Sequence, residues 1–378
     1  MNWQEHADRL AAQVVHPASR WRPIIARLPR HIFVPRWWEW TSGDRWALRD
    51  GPADHDAWME NAYANRSLVT QIAGHHADHA ELGETRSGRP TSSSTMASLV
   101  IRMQRHAMLN DGVDVLEVGT GSGYGTATLA TRLGDQHVTS IDVDEYLTKA
   151  AAERLDTIGL HPQVTAVDAT GPVPGTHDRI VSTVAVRPIP VSWLTALRPG
   201  GRLVTSLIDI PVILTADKTD DGGAEGVIEW DRAGFMHTRT GPDYPPGLDE
   251  QLARVENADG DEVRAGRYPV INVEQAWEVQ AMLAITAPGI AHRYNEADGA
   301  RTAWMVHPDG SWARATAHGT DTPIVSQGGP RRLWDIFDEL RDYWLNHGYF
   351  QLYGARVKVD PDGVIHLRRG RWEATITE

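Results

Sequence analysis

The residues with the clearest chemical potential are three carboxylates, Glu117, Asp142 and Asp168, and a glycine-rich loop, Gly119-Thr120-Gly121-Ser122-Gly123-Tyr124-Gly125, that follows the first of them. Glycines at that density let backbone approach a ligand closely. The loop reads Gly-x-Gly-x-Gly and no Gly-Lys-Ser/Thr follows, so it fits neither a dinucleotide fingerprint nor a phosphate-cradling loop. Glu117 would repel a pyrophosphate, but it can hydrogen-bond or balance a cationic amino-acid moiety. Asp142, with Val143 after it, lies nineteen residues beyond Gly123, close to the offset at which an acid takes ribose hydroxyls. Asp168-Ala169 is placed to accept from an adenine amino group. The cofactor that carries all three groups is S-adenosylmethionine, and it is the expected ligand.

Strands and helices must hold these residues at one crevice. Val113 to Val118 is a β-branched run that breaks into the glycines, and Thr126 to Leu133 reads as the helix after them. Val138 to Ile141, Gln163 to Val167 and Asp178 to Ala185 read as further strands of a nucleotide-binding α/β sheet, and ligands sit outside the carboxyl ends of such strands. Val184 and Arg187 fall at the last of these ends and are candidate substrate contacts. Thr91-Ser92-Ser93-Ser94-Thr95 follows Gly88-Arg89-Pro90 and precedes a helix with apolar positions Met96, Leu99, Val100, Met103 and Ala107. That pattern places the hydroxyls at a loop-to-helix junction, and capping explains only one of them. His75 and His79 have metal-like spacing on a helix, but no further ligand group is marked, so the segment reads as a polar loop and no metal is expected.

The chain has 378 residues, enough for a sizeable core with appended elements. Its 37 basic and 50 acidic residues give a net charge of −13, which disfavours general affinity for nucleic acid or an anionic membrane. With no cysteine, thiolate catalysis and Cys-based zinc sites are excluded. Met1 to His6 carry no basic flank or apolar h-region, and no apolar run reaches the eighteen or so residues of a membrane span, so a cytoplasmic protein is expected. Seven tryptophans fall between Trp3 and Trp58 and eight from Trp193 onward, which sets the nucleotide-binding stretch apart from both flanks. The arginine-dense segment from Ser19 to Arg36 reads as a solvated basic face or a patch for an acidic peptide. The stretch from Trp40 to Glu60 is polar and irregular. Past the breaker-rich Gly241 to Gly247, short strands such as Thr302 to Val306 and Ser311 to Ala317, an amphipathic helix from Leu333 to Asn346 and a hairpin around Asp360-Pro361-Asp362-Gly363 describe a folded α+β part with its own core.

Four ordered motifs carry a resemblance. Leu28-Pro29-Arg30-His31-Ile32-Phe33-Val34-Pro35, Asn61 to Leu68, Leu116 to Tyr124, and Ile189-Pro190 with Leu197-Arg198-Pro199-Gly200-Gly201-Arg202-Leu203-Val204 resemble successive signatures of the protein-L-isoaspartate O-methyltransferases. The resemblance implies a Rossmann-like class I S-adenosylmethionine-dependent methyltransferase. Residues 1–80 are then an N-terminal helical and substrate segment, 81–240 the cofactor-binding core, and 241–378 an additional C-terminal α+β domain that recognises peptide. It implies cofactor contacts at Glu117, Gly119, Thr120, Gly121, Ser122, Gly123, Tyr124, Asp142, Val143, Asp168 and Ala169. The hydroxyl run occupies the position of the family's substrate loop, whose serine is implied to contact the acceptor carboxylate, but the family's Gln-Pro or Ala-Pro pair is missing. Alignment on Met96 selects Ser92 and a one-residue shift selects Ser93. Ser92, Ser93 and Ser94 are therefore carried as catalytic candidates, with Thr91, Val184 and Arg187 as substrate contacts.

An ionised carboxylate needs no general base to accept a methyl group, so neutral hydroxyls that orient it suit the chemistry. The altered hydroxyl run and the added C-terminal part resemble the methyltransferases that accompany ATP-grasp ligases in graspetide biosynthesis. That resemblance implies a ribosomally made, macrocyclised precursor peptide whose aspartate is esterified and then closes to an aspartimide. The alternatives are an isoaspartyl repair methyltransferase, for which the C-terminal third is unnecessary, and a non-catalytic protein that binds cofactor and peptide.

Overall fold

The computed structural model describes residues 2–42 and 45–377. Met1, in the segment 1–80, Gly43 and Asp44, in the stretch 40–60, and Glu378, in the segment 241–378, lie outside the described residues.

The strand Val115–Val118 is buried along its whole length, as its Val/Leu-rich sequence requires of a central parallel strand. Val138–Asp142 and then Gln163–Ala166 lie on one side of it, and His177–Val186 and then Leu197–Leu207 on the other, all parallel. Ile210–Lys218 turns the sheet antiparallel, and Ala224–Ile228 pairs back on it across the turn around Gly222. The helix Tyr124–Leu133 follows the glycine loop, and Glu145–Asp156 starts at Asp144, whose carboxylate accepts from the N–H groups of Tyr146 and Leu147. These elements put the carboxyl ends of the strands 115–118, 138–142 and 163–166 at one crevice.

The flanks differ from the expected layout. Ala224–Ile228 is not the edge of the sheet, because Arg356–Val359, Ile365–Arg369 and Trp372–Ile376 continue it to ten strands. A five-stranded antiparallel sheet formed within residues 262–328 packs beside it with the helix Leu333–His347. The C-terminal α+β part is present, but its main core is not separate: Trp334, Phe337, Met305 and Ile365 share one apolar cluster with Leu116, Ile180 and Trp193, and only the small cluster of Leu252, Trp304 and Val306 is its own. An exposed sheet edge is a pairing template, and here the chain's own C-terminus covers it.

The segment 1–80 is likewise not a self-contained helical unit. Its helices Trp3–Val14 and Arg22–Arg27 are followed by a hairpin, Arg36–Ser42 with Arg45–Asp50, and by the helix His55–Ala62, all where an irregular polar stretch or its approach was expected. Its sheet is completed by two strands from beyond it, Thr85–Ser87, which pairs with Arg45–Asp50, and Pro90–Ser94, which pairs antiparallel with Leu68–Ile72. The hydroxyl run is therefore a strand and not a loop-to-helix junction. The following helix, Ala97–His106, draws its N-terminal partners from elsewhere: the Met96 N–H donates to Ser67 Oγ at 3.0 Å and the Ser98 N–H to Asn65 Oδ1 at 3.0 Å. His75 and His79, in the segment read as a polar loop, lie on a two-residue strand and a 3-10 turn. Among the described residues no group of three acidic or histidine side chains could hold a metal ion, and no helix is long and apolar enough to cross a membrane.

Candidate active site

A cavity of about 300 Å³ opens at the carboxyl ends of the parallel strands. Its floor is the glycine loop. Gly119 has φ of +98°, and a Cβ there would lie 2.8 Å from Thr183 Oγ1, so only glycine brings this backbone against the neighbouring strand. A Cβ on Gly125 would run into Glu117 Oε1, which shows how tightly the first helical turn sits over that carboxyl.

Glu117 is 1% exposed and accepts from Thr126 Oγ1 at 2.5 Å and Ser140 Oγ at 2.7 Å. Among the described residues it has hydroxyl partners and no cation. Burial accordingly pushes its carboxyl up to about 7, against the pull of those two hydrogen bonds. A buried acid that lacks a countercharge is the complement of a cationic ammonium group. Asp142 accepts from the Gly121 N–H at 2.9 Å and the Asp144 N–H at 3.2 Å, which ties the loop to the second strand end. Burial raises its pKa too. Asp168 Oδ1 accepts from the Thr170 N–H at 2.9 Å and its Oγ1 at 2.7 Å, and the Ala169 carbonyl accepts from Trp193 Nε1 at 2.8 Å.

The opposite wall is the strand 90–94. Thr91, Ser92 and Ser93 line the cavity, as do Glu117, Gly119, Thr120, Gly121, Ser122, Tyr124, Asp142, Val143, Asp168, Ala169 and Val184. Three expected residues are not in this lining. Ser94 is fully buried, with Oγ unpartnered, because strand alternation turns it away from Ser93. Gly123 packs against Ala151 and Phe33, where its left-handed φ of +91° starts the helix. Arg187 donates to the Ala284 carbonyl at 3.1 Å, so it supports the C-terminal part and does not clamp an acceptor.

Sequence reasoning missed a strap and two anchors. Residues 234–239 cross the cavity and contribute Phe235, Met236, His237 and Arg239 to its lining. The strap is held by the Ala185 N–H to the Met236 carbonyl at 2.8 Å and the Thr238 N–H to the Ala185 carbonyl at 2.9 Å. A polar hub then joins all three walls. Gln71 Oε1 accepts from Thr91 Oγ1 at 2.8 Å and Arg239 Nη2 at 3.1 Å, and Gln71 Nε2 donates to Asp144 Oδ2 at 2.9 Å. Asp144 also contacts His76 at 3.1 Å and Arg239 at 3.5 Å. Burial opposes its ionisation, but the hydrogen bond and charge of His76, with Gln71, hold its carboxyl well below the usual range. The signal for Gln71 was a lone amide in the apolar run Leu68 to Ile72.

The second anchor is Arg30, fully buried and without a carboxylate partner among the described residues. It donates to the carbonyls of Ala62, Ala64, Arg66, Ser94 and Thr95, and so clamps the end of the hydroxyl strand to the loop after the helix 55–62. Its guanidinium stands 5.3 Å from the Tyr124 ring centre. One member of the arginine-dense segment is thus an internal staple and not part of a solvated face.

Residues 74–227 match the family model described as protein-L-isoaspartate(D-aspartate) O-methyltransferase. A protein-L-isoaspartate O-methyltransferase of Ignicoccus hospitalis is 35% identical over 132 residues, covering 33% of this chain and 62% of that protein. Protein-L-isoaspartate O-methyltransferase 1 of Cupriavidus necator is 31% identical over 214 residues, covering 53% of this chain and 64% of that protein. The chain therefore spans less than two thirds of the length of these relatives. A solved protein-L-isoaspartate O-methyltransferase shares the fold with a TM-score of 0.51 at 17% identity, over 97% of this chain and 99% of that one. Its coverage includes the C-terminal third, so that third does not set this chain apart in fold. With the glycine loop, the acidic strand ends and the sheet order in place, the chain has a class I S-adenosylmethionine-dependent methyltransferase fold, and its residues 74–227 are similar to the protein-L-isoaspartate O-methyltransferases.

Proposed function

We propose that this chain is an S-adenosylmethionine-dependent O-methyltransferase that esterifies an aspartyl-type carboxylate of a peptide or protein. The observation that carries the reading is that the uncompensated acid Glu117 and the residues Ser92 and Ser93 line one cavity. Glu117 would receive the cationic amino-acid end of the cofactor, Asp142 the ribose, and Asp168 the adenine. Bound there, S-adenosylmethionine supplies an electrophilic methyl group on a sulfonium.

The rest is positioning. An acceptor carboxylate with an ordinary pKa near 3.9 is already ionised at neutral pH, so no proton needs to be removed. Ser93 is partly exposed to the cavity, whereas Ser92 accepts from Thr70 Oγ1 at 3.1 Å. Ser93 would therefore donate to the acceptor, with Ser92 held as its support. Neutral donors orient a carboxylate without withdrawing much of its charge. Phe235 and Met236 of the strap exclude water, which would otherwise solvate the nucleophile. The product is a methyl ester. Attack by the following backbone N–H on the ester carbonyl then expels methanol and leaves a succinimide.

Repair of isoaspartyl residues is the reading closest to the family. The narrower one, aspartimide formation on a macrocyclised, graspetide-type peptide after an ATP-grasp ligase, rests on the altered hydroxyl strand alone. Mass spectrometry separates them. An isoaspartyl test peptide and a macrocyclised precursor peptide are each incubated with enzyme and S-adenosylmethionine. Methylation of the isoaspartyl peptide alone supports repair. A transient gain of about 14 mass units followed by a net loss of about 18 on the macrocycle supports aspartimide formation. Cofactor binding with no transfer to either peptide refutes both and leaves a binding protein.

A further inference from the structure

A second cavity, of about 390 Å³, lies apart from the cofactor site between the helices Trp277–Thr286 and Leu333–His347, with Arg232 at its rim. Its apolar walls are open to solvent: Trp277 is 40% exposed, Trp344 38% and Leu345 53%. Aromatic and arginine side chains grouped in this way are the usual anchors of recognition surfaces.

Arg341 also lines this cavity, and it is only 8% exposed. No carboxylate among the described residues lies within ion-pair distance of it, and its Nη1 is buried without a hydrogen-bond partner. The rings of Tyr268 and Phe337, 4.9 and 5.2 Å from its Cζ, hold the guanidinium without occupying its N–H donors. The acid one turn earlier, Asp338, is engaged instead by Arg264 Nη2 and the Arg267 N–H, both at 3.4 Å. Glu278, the one acid among the lining residues, is paired with Arg232 at 3.4 Å. A buried fork of unused donors fits a planar carboxylate.

We infer that this cavity is a second site for the peptide substrate, which seats an apolar side chain between Trp277 and Trp344 and pairs a carboxylate with Arg341. The inference rests on the proposal that a peptide is the acceptor. Its place in the fold supports that use: Arg232 lines this cavity and Gly234, two residues on, lines the active-site cavity. Two residues of backbone span at most about 7 Å, so the strap begins next to a residue of this cavity.

The test uses the full chain labelled with 5-fluorotryptophan and compares N-acetyl-L-leucinate with N-acetyl-L-leucinamide, by calorimetry and by the fluorine resonances of Trp277 and Trp344. The acid should bind at least about tenfold more tightly than the amide, as expected of a charge-assisted pair, and should shift both resonances. Arg341→Gln should erase the preference while binding of S-adenosylhomocysteine stays unchanged. If that variant fails to fold, Arg341→Lys, which keeps the charge but loses the fork, should reduce the preference, and Trp344→Ala at the rim should weaken acid and amide alike. Equal binding of acid and amide, no binding of either, or an unchanged preference in the Arg341 variants overturns the site. Methyl transfer to an isoaspartyl peptide alongside any of those results leaves the enzyme standing without this site. Acid-selective binding without transfer to any peptide removes the peptide assignment.

Discussion

The two walls of the cavity, the cofactor wall and the acceptor wall of the proposed function, are built on different plans. The cofactor wall comes from one contiguous stretch, 117–169, in which each strand delivers an acid at its carboxyl end and backbone bonds such as Gly119 N–H to the Ile141 carbonyl at 2.8 Å lock the loops together. The acceptor wall brings together the strand 90–94, the strand 68–72 and the strap 234–239, which begins 140 residues beyond Ser94. Beyond their backbone pairing, side chains tie these segments to one another: Arg30 clamps five carbonyls, and Gln71 joins Thr91, Asp144 and Arg239. A wall held by local backbone geometry tolerates loss of one side chain better than a wall held by one buried cation.

The largest expected effect tests that contrast on the acceptor side. Arg30→Ala leaves five carbonyls without their donor, those of Ala62 and Ser94 in buried bonds, and should cost about 3–5 kcal/mol of unfolding free energy. Urea denaturation measures it, and a loss under 1 kcal/mol would show that the carbonyls find other partners. On the cofactor side, Asp142→Ala should weaken S-adenosylhomocysteine binding roughly 100-fold, equivalent to about 3 kcal/mol, with a smaller change in stability. Calorimetry on the folded variant decides it.

The pH dependence sharpens the comparison further, since Glu117 belongs to the cofactor wall alone. Its folded pKa of about 7 exceeds its ordinary value, so the folded state keeps a proton that the unfolded chain releases. Stability of the ligand-free protein therefore falls as pH rises from about 4.5 to about 7, by at most about 3 kcal/mol. Cofactor affinity should rise over the same window, because a cation favours the ionised acid. Glu117→Gln should flatten both curves and weaken the cofactor about tenfold at pH 8; a slope that survives the substitution assigns it to another group.

Smaller effects are expected where a hub member has alternatives. Arg239→Gln should raise the peptide KM several-fold, by loosening the strap through loss of about 1 kcal/mol of hydrogen bonding, with little change in cofactor affinity. The smallest effect separates neighbouring hydroxyls. Ser94→Ala removes an unpartnered buried Oγ and should change stability by under about 1 kcal/mol while leaving activity intact. Ser93→Ala should lower kcat/KM, and equal behaviour of the two variants would mean that strand alternation does not select the acceptor contact.

The two walls also differ in how far they could be read from the chain. Glu117, Asp142 and Asp168 were legible because a parallel α/β unit repeats strand, loop and helix at fixed spacing, and each acid stands at a position the repeat defines. The glycines were legible because a left-handed φ and a close backbone approach leave little other choice. Hydroxyl residues after Gly-Arg-Pro suit a cap as well as a strand, and only the partner strand Leu68–Ile72 resolves them into a strand. Arg30 stood in a motif, but its type suggested a surface charge, because nothing local shows five carbonyls converging on it.

Sequence by itself therefore determined the sheet, the glycine loop and the acidic strand ends, all set by short-range patterns of burial and backbone conformation. Tertiary structure alone decided that Ser92 and Ser93 line the cavity while Ser94 is buried away from it, that residues 234–239 cross it, that Arg187 turns away, and that the C-terminal strands extend the central sheet. Those outcomes depend on contacts between segments as much as 168 residues apart, as between Arg239 and Gln71. Local propensity carries no information about which distant edge or carbonyl a segment will meet.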